Sequence, residues 1–339
     1  MATFNPNAAA PDTAGVFGLP HSVDEAHVVL VPVPFEATTS YGGGTSEGPR
    51  AILEASRQVD LFDIETGRPY ERGIAMLEVP PALEALNQTA KALAAPIIEA
   101  GGAAPGSRAL AGVNALCEQM NDWVYRTVKA HLGKQKLVGT VGGDHSISFG
   151  AIRAHAEAYP GLGVLHLDAH ADLRDAYEGF SFSHASIMHN VMERIPQVGK
   201  LVQVAIRDLC DQEFQYIAAQ KGRIVTHYDA LLASARFEGE TFGAQLSRMV
   251  ADLPHDVYLS FDIDGLDPTL CPGTGTPVPG GLSFAQADAL IAAVTKSGRR
   301  IVGFDLTEVS PGADGGQWDG NVGARLLYKM IGWSLKSRA

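Results

Sequence analysis

Short apolar runs rich in β-branched residues recur along the chain, separated by longer segments with helical spacing. Seven runs read as strands: 27–33 (HVVLVPV), 136–141, 163–168, 201–206, 223–227, 256–262 and 300–306. Residues 49–57, 81–99, 109–132, 148–159, 212–220, 240–252, 283–297 and 319–333 read as helices, Pro49 suiting a first helical turn. The strands are apolar almost throughout, which is expected of a parallel sheet covered on both faces. The last helix is amphipathic, with Leu326, Leu327, Met330 and Ile331 on its core side. No repeat and no break in composition interrupts the pattern. It predicts one domain over 1–339, with an N-terminal extension over about 1–22 and an Ala/Gly-rich flexible connection over about 99–112.

In such sheets ligands bind beyond the carboxyl ends of the strands. Four strands run there into polar clusters: Gly142-Gly143-Asp144-His145-Ser146, Asp168-Ala169-His170-Ala171-Asp172, Asp262-Ile263-Asp264 and Thr307-Glu308-Val309-Ser310. An extended chain puts alternate side chains on one side, so Asp168, His170 and Asp172 can point together, as can Asp262 and Asp264. With His145, the set is two histidines and four aspartates. That exceeds the need of one divalent ion and suits two, bridged by carboxylates about 3.5–4 Å apart. Oxygen-rich ligands favour Mn²⁺ over structural Zn²⁺, although Ni²⁺ and Co²⁺ share the same ligand types. His166, inside a strand, reads as a core histidine with its hydrogen bonds satisfied.

The net charge is −12, which argues against nucleic acid or an anionic membrane as a partner. Three cysteines without pattern, and no basic-plus-apolar leader, point to a cytoplasmic protein without disulfides. Gly42-Gly43-Gly44 lacks the GK[ST] ending of a phosphate loop and reads as a tight turn near the site mouth. The run 178–182 (EGFSF) reads as a loop lining the site.

"GGDHS" (142–146), "DAHAD" (168–172) and "SFDIDGLDP" (260–268) resemble the three signature segments of the ureohydrolases, the arginases and agmatinases. Segments 31–56, 273–283 and 304–311 extend the likeness. The resemblance implies a three-layer α/β/α sandwich with a mainly parallel sheet of about eight strands. It implies two Mn²⁺ per subunit: one on His145, Asp168, Asp172 and Asp262, the other on Asp168, His170, Asp262 and Asp264. A hydroxide between the ions would attack a guanidinium carbon, releasing urea and an amine. Asp172 would orient that hydroxide, Glu308 would clamp the guanidinium, and His184 would shuttle a proton to the leaving amine. It also implies a homo-oligomer, a trimer or hexamer.

The polar "SGNxHG" form that follows DAHxD in arginases is absent; "AYEGFSFSHAS" stands there, closer to agmatinases. Agmatine, cleaved to putrescine and urea, is therefore the first expectation for the small guanidinium substrate. Asp208 and Asp211 are candidates for its amine, with helix-capping as their other reading. Arg174 would instead favour a carboxylate tail, as in 4-guanidinobutyrate or arginine. Free guanidine, a single-zinc deacetylase-like hydrolase on the same fold and a silent binding protein are the further alternatives.

Overall fold

The computed structural model describes residues 4–312 and 314–339. Among them, eight strands form one sheet: β1 (Val28–Val33), β2 (Ile74–Met76), β3 (Leu137–Gly142), β4 (Leu162–Leu167), β5 (Val198–Ile206), β6 (Ile224–Tyr228), β7 (Asp256–Asp262) and β8 (Arg300–Thr307). Every pairing is parallel, in the order β2-β1-β3-β8-β7-β4-β5-β6. The helices are α1 (Gly48–Ser56), α2 (Pro81–Glu99), α3 (Arg108–Gly133), α4 (Ser148–Ala158), α5 (Ile187–Arg194), α6 (Asp211–Ala219), α7 (Asp229–Phe237), α8 (Phe242–Ala251), α9 (Phe284–Lys296) and α10 (Trp318–Lys336).

Two apolar cores lie on the two faces. Ile52, Met249, Leu290 and Leu326, from α1, α8, α9 and α10, fill one. Ala90, Val113, Ile152 and Val191, from α2 to α5, fill the other. Each central strand feeds both by alternation: in β4, Leu165 and Leu167 join the first core, Leu162 and Val164 the second. This gives the expected three layers. Pro32 is tolerated inside β1 because it shares a side with Leu30, whose carbonyl accepts the N–H of Leu77 just past the end of β2. The missing N–H of Pro32 therefore faces a side where no strand remains to bond.

The sequence pattern missed β2, α5 and α7. Each is short: β2 is an edge strand of only three residues, and α7 buries only Leu232. The expected flexible connection is shorter than 99–112. Arg108 already begins α3, and Ser107 caps it by accepting the N–H of Leu110. The extension is packed rather than loose over its described part: Phe17 is buried against Tyr328 and donates its N–H to Ser56. α10 packs inside, against α1 and α9.

Strands β3, β8, β7 and β4 are consecutive neighbours in the sheet. The four polar strand ends read from the sequence thus lie side by side at its centre.

Candidate metal centre

The six metal-ligand candidates come together. His145 lies in a single turn after β3, shaped by Asp144, whose carboxylate accepts the N–H of Ser146. Its Nδ1 lies 3.1 Å from Asp168, 3.2 Å from Asp172 and 3.4 Å from Asp262. His170 Nδ1 lies 3.1 Å from Asp264 and 3.5 Å from Asp168. Asp168 touches both groups. The chain past β7 is pinned beside β4: Asp262 accepts the N–H of Asp264, and Asp264 accepts that of Ala169. Gly265 makes this approach possible, since a Cβ there would sit 2.8 Å from the Asp168 nitrogen.

The convergence has a different cause from simple alternation. The chain does not stay extended after Asp168; Asp172 has a φ of 54°. A left-handed turn swings its carboxylate back to His145. Glu308 is also left-handed, at 62°. For residues other than glycine this costs about 1–3 kcal/mol each, and such strain collects at functional sites.

The donor set fits divalent cations. Asp168, Asp172, Asp262 and Asp264 are all buried, and among the described residues no lysine or arginine pairs with any of these carboxylates. Burial pushes Asp172 up to about 6, with the charge of Asp168 adding to it. Burial also opposes charge on the imidazoles, yet the carboxylates hold His145 well above its ordinary value and drive His170 to about 12. Among the described residues, protons on the imidazoles are the only positive charge paired with this cluster, and cations would do the same work. One donor atom each from His145, His166, Asp168 and Asp172 lie within 4.8 Å of one another, as do those of Asp168, His170 and Asp264.

A cavity of about 190 Å³ opens beside the cluster, lined by His170, Asp172 and His184 and also by Ser40, Arg174, Tyr177, Asp208, Glu213 and Thr276. His184 is pushed down to about 4 by burial and by the charge of His170, so its imidazole is neutral at pH 7. Its Nδ1 has no hydrogen-bond partner among the described residues. Glu308 is buried with no cationic partner within ion-pair distance among the described residues, and burial and Asp144 hold its carboxyl well above the usual range.

The tail candidates separate. Asp208 lines the cavity, exposed, with no side-chain partner among the described residues. Asp211 lies outside it, exposed in the first turn of α6, where the Gln215 side chain donates to it; the cap of α6 is made by Cys210 and Glu213 instead. Arg174 faces the cavity but stacks on Tyr177 and lies 3.8 Å from Glu213. Arg207 is spent on the backbone carbonyls of Ala205, Asp264, Leu266 and Val278. In the 178–182 loop the phenylalanines pack inward, and the neighbouring Tyr177 lines the cavity instead. Glu213 was not singled out from sequence. It accepts the N–H groups of Leu173 and Cys210, and a glutamate three residues after the cap residue Cys210 is its only sequence signal.

A family model described as "Arginase family" matches residues 26–332. The N(1)-aminopropylagmatine ureohydrolase of Thermus thermophilus is 36% identical over 312 residues, covering 91% of this chain and 90% of that protein. The guanidinobutyrase of Pseudomonas aeruginosa is 31% identical, covering 92% and 88%. Among solved structures, the proclavaminate amidinohydrolase of Streptomyces clavuligerus superposes with a TM-score of 0.75 at 23% identity, covering 98% of this chain and all of the other.

Proposed function

The chain belongs to the arginase family and is a metal-dependent ureohydrolase; we propose that it hydrolyses a small guanidine with a cationic tail, agmatine first, to urea and an amine. The observation that carries this is the state of the tail region. Arg174 is compensated by Glu213 and covered by Tyr177, whereas Asp208 is left free to meet an ammonium group. The relative named for aminopropylagmatine, a longer cation of the same kind, supports the same reading. A guanidino acid such as 4-guanidinobutyrate is the second reading. It is favoured by the presence of Arg174 in the cavity wall and by the guanidinobutyrase relative.

In this proposal His145, Asp168, Asp172 and Asp262 hold one Mn²⁺, and Asp168, His170, Asp262 and Asp264 the other. Two such cations supply Lewis acidity and bring the pKa of a water into the neutral range. Asp172, which lines the cavity, would accept a hydrogen bond from the attacking water and orient it. Glu308 takes the guanidinium through charge-assisted bonds to its planar N–H groups. His184, neutral at pH 7, accepts a proton and passes it to the leaving amine; a resident proton donor would need a higher pKa. Asp208 reads the far end of the substrate. Free cysteines support a reducing, cytoplasmic setting, and among the described residues no helix is long and apolar enough to cross a membrane. The trimer or hexamer implied by the resemblance belongs to the same proposal.

The test is urea release by Mn²⁺-loaded protein from agmatine, N1-aminopropylagmatine, 4-guanidinobutyrate, arginine and guanidine, each taken to kcat/KM. We expect the cationic tails to lead. A lead for a carboxylate tail would overturn the substrate assignment and turn attention to Arg174.

A further inference from the structure

Six side chains stand at one level across six neighbouring strands. In the sheet's register Thr140 is beside Asp305, Asp305 beside Ser260, Ser260 beside His166, His166 beside Gln203, and Gln203 beside Thr226. All but Thr226 are 0–1% exposed. Two residues earlier on the same side of their strands stand Val138, Tyr258, Val164, Leu201 and Ile224, part of one apolar core. Two residues later stand Asp168, just past the end of β4, and Asp262, the last residue of β7. The row is thus a polar layer between the core and the metal-ligand candidates.

Its hydrogen bonds have a determined direction. The carbonyl of Ala171 can only accept, so the Gln203 group 2.7 Å from it is the amide NH₂. That same nitrogen lies 3.0 Å from His166 Nδ1, and the amide oxygen accepts from Thr226 at 2.9 Å. His166 Nδ1 is therefore an acceptor, and its proton sits on Nε2. Nε2 donates to Asp168 Oδ2 at 2.8 Å. His166 thus lies among the possible metal donors yet has no lone pair to offer there. On the other side, Ser260 Oγ lies 2.9 Å from both Asp305 Oδ1 and His145 Nε2. This contact occupies Nε2 of His145 and leaves Nδ1 turned toward the carboxylates.

We propose that this row is the positioning layer of the metal centre: His166 orients Asp168, and Ser260 orients His145. The proposal rests on reading those two residues as metal ligands. An apolar row would fill the same space without any buried group to satisfy, and replacing both partners of a buried hydrogen bond by apolar groups is often neutral. A polar row at this one level, touching two ligand candidates, has a use that packing alone does not supply. Partners of this kind set the orientation of ligands, and losing one typically weakens metal binding about 10–100-fold.

The experiment is Mn²⁺ titration by calorimetry, with metal content and the thermal midpoint of the metal-free protein measured alongside. H166F and S260A should each weaken Mn²⁺ binding by about 10–100-fold, in excess of any change in the metal-free midpoint. H166Q, whose amide N–H reaches toward the place of imidazole Nε2, should recover most of the affinity. If H166F does not fold, Q203L, which frees the imidazole to turn, carries the same expectation. Wild-type affinity in H166F and S260A, with binding lost in D168A, overturns this proposal alone. Wild-type affinity in D168A as well overturns the metal reading beneath it.

Discussion

Glu308 Oε1 accepts the backbone N–H of His145 at 2.9 Å, joining the end of β8 to the turn after β3. The side chain assigned to the guanidinium is thereby held against the segment that carries a metal-ligand candidate. A buried carboxylate placed in this way has a cation-shaped need. Glu308→Gln keeps the size and the contact to His145 but removes the charge. We expect kcat/KM for agmatine to fall by about two orders of magnitude, roughly 3 kcal/mol, at unchanged metal content. Wild-type kinetics in this variant would remove Glu308 from the guanidinium site.

His184 Nδ1 has no partner among the described residues, and His184 lines the cavity beside His170. His184→Asn keeps a polar side chain but cannot relay a proton. It should bind metal as the wild type does while kcat drops by about a hundredfold. Steady-state kinetics with metal analysis decides this, and an unchanged kcat would assign the proton transfer elsewhere.

Asp208 is exposed, so its attraction for a substrate amine is screened by solvent. Asp208→Asn should raise KM for agmatine by about threefold to fivefold, at most roughly 1 kcal/mol, and leave KM for 4-guanidinobutyrate unchanged or lower. Equal changes for both substrates would show that Asp208 does not read tail charge.

His155 illustrates a pH effect away from the site. It is buried edge-on to Tyr258, donates from Nδ1 to the Ala151 carbonyl and leaves Nε2 without a partner among the described residues. Burial pushes its pKa from 6.5 down to about 4. The unfolded chain therefore takes up a proton between pH 6.5 and 4 that the folded chain refuses. Stability falls as pH falls through that window, by up to about 3 kcal/mol from this residue. Denaturant unfolding of wild type and His155→Asn at pH 7 and pH 4.5 measures it: the variant should lose less stability on acidification. Gly303 makes the room, since a Cβ there would sit 2.0 Å from Nε2.

The parallel sheet and the six ligand candidates were legible because each lies on a strong pattern. Long apolar strands point to burial on both faces, and carboxylates at their ends have no reason to cluster in a core. His166 was read only as a satisfied core residue. Its neighbours Gln203 and Thr226 are 37 and 60 positions away, and only the register of β4, β5 and β6 makes them one network. Asp172 reaches His145 by another route than the one expected: alternation predicted an extended chain, whereas Asp172 sits in a left-handed turn. Glu213 and the compensation of Arg174 depend on where α6 docks. The pattern of apolar residues says little about that, because α6 is largely exposed.

The polar row also bears on how this protein can change over generations. Thr226, Gln203 and His166 satisfy one another, so replacing one strands a buried group on the next. A change that is harmful alone becomes tolerable once its neighbour has changed, and the reverse order closes the route. Drift at these positions should therefore proceed in linked steps, whereas the apolar level beneath, where Val164 stands between Tyr258 and Leu201, can exchange one methyl group at a time.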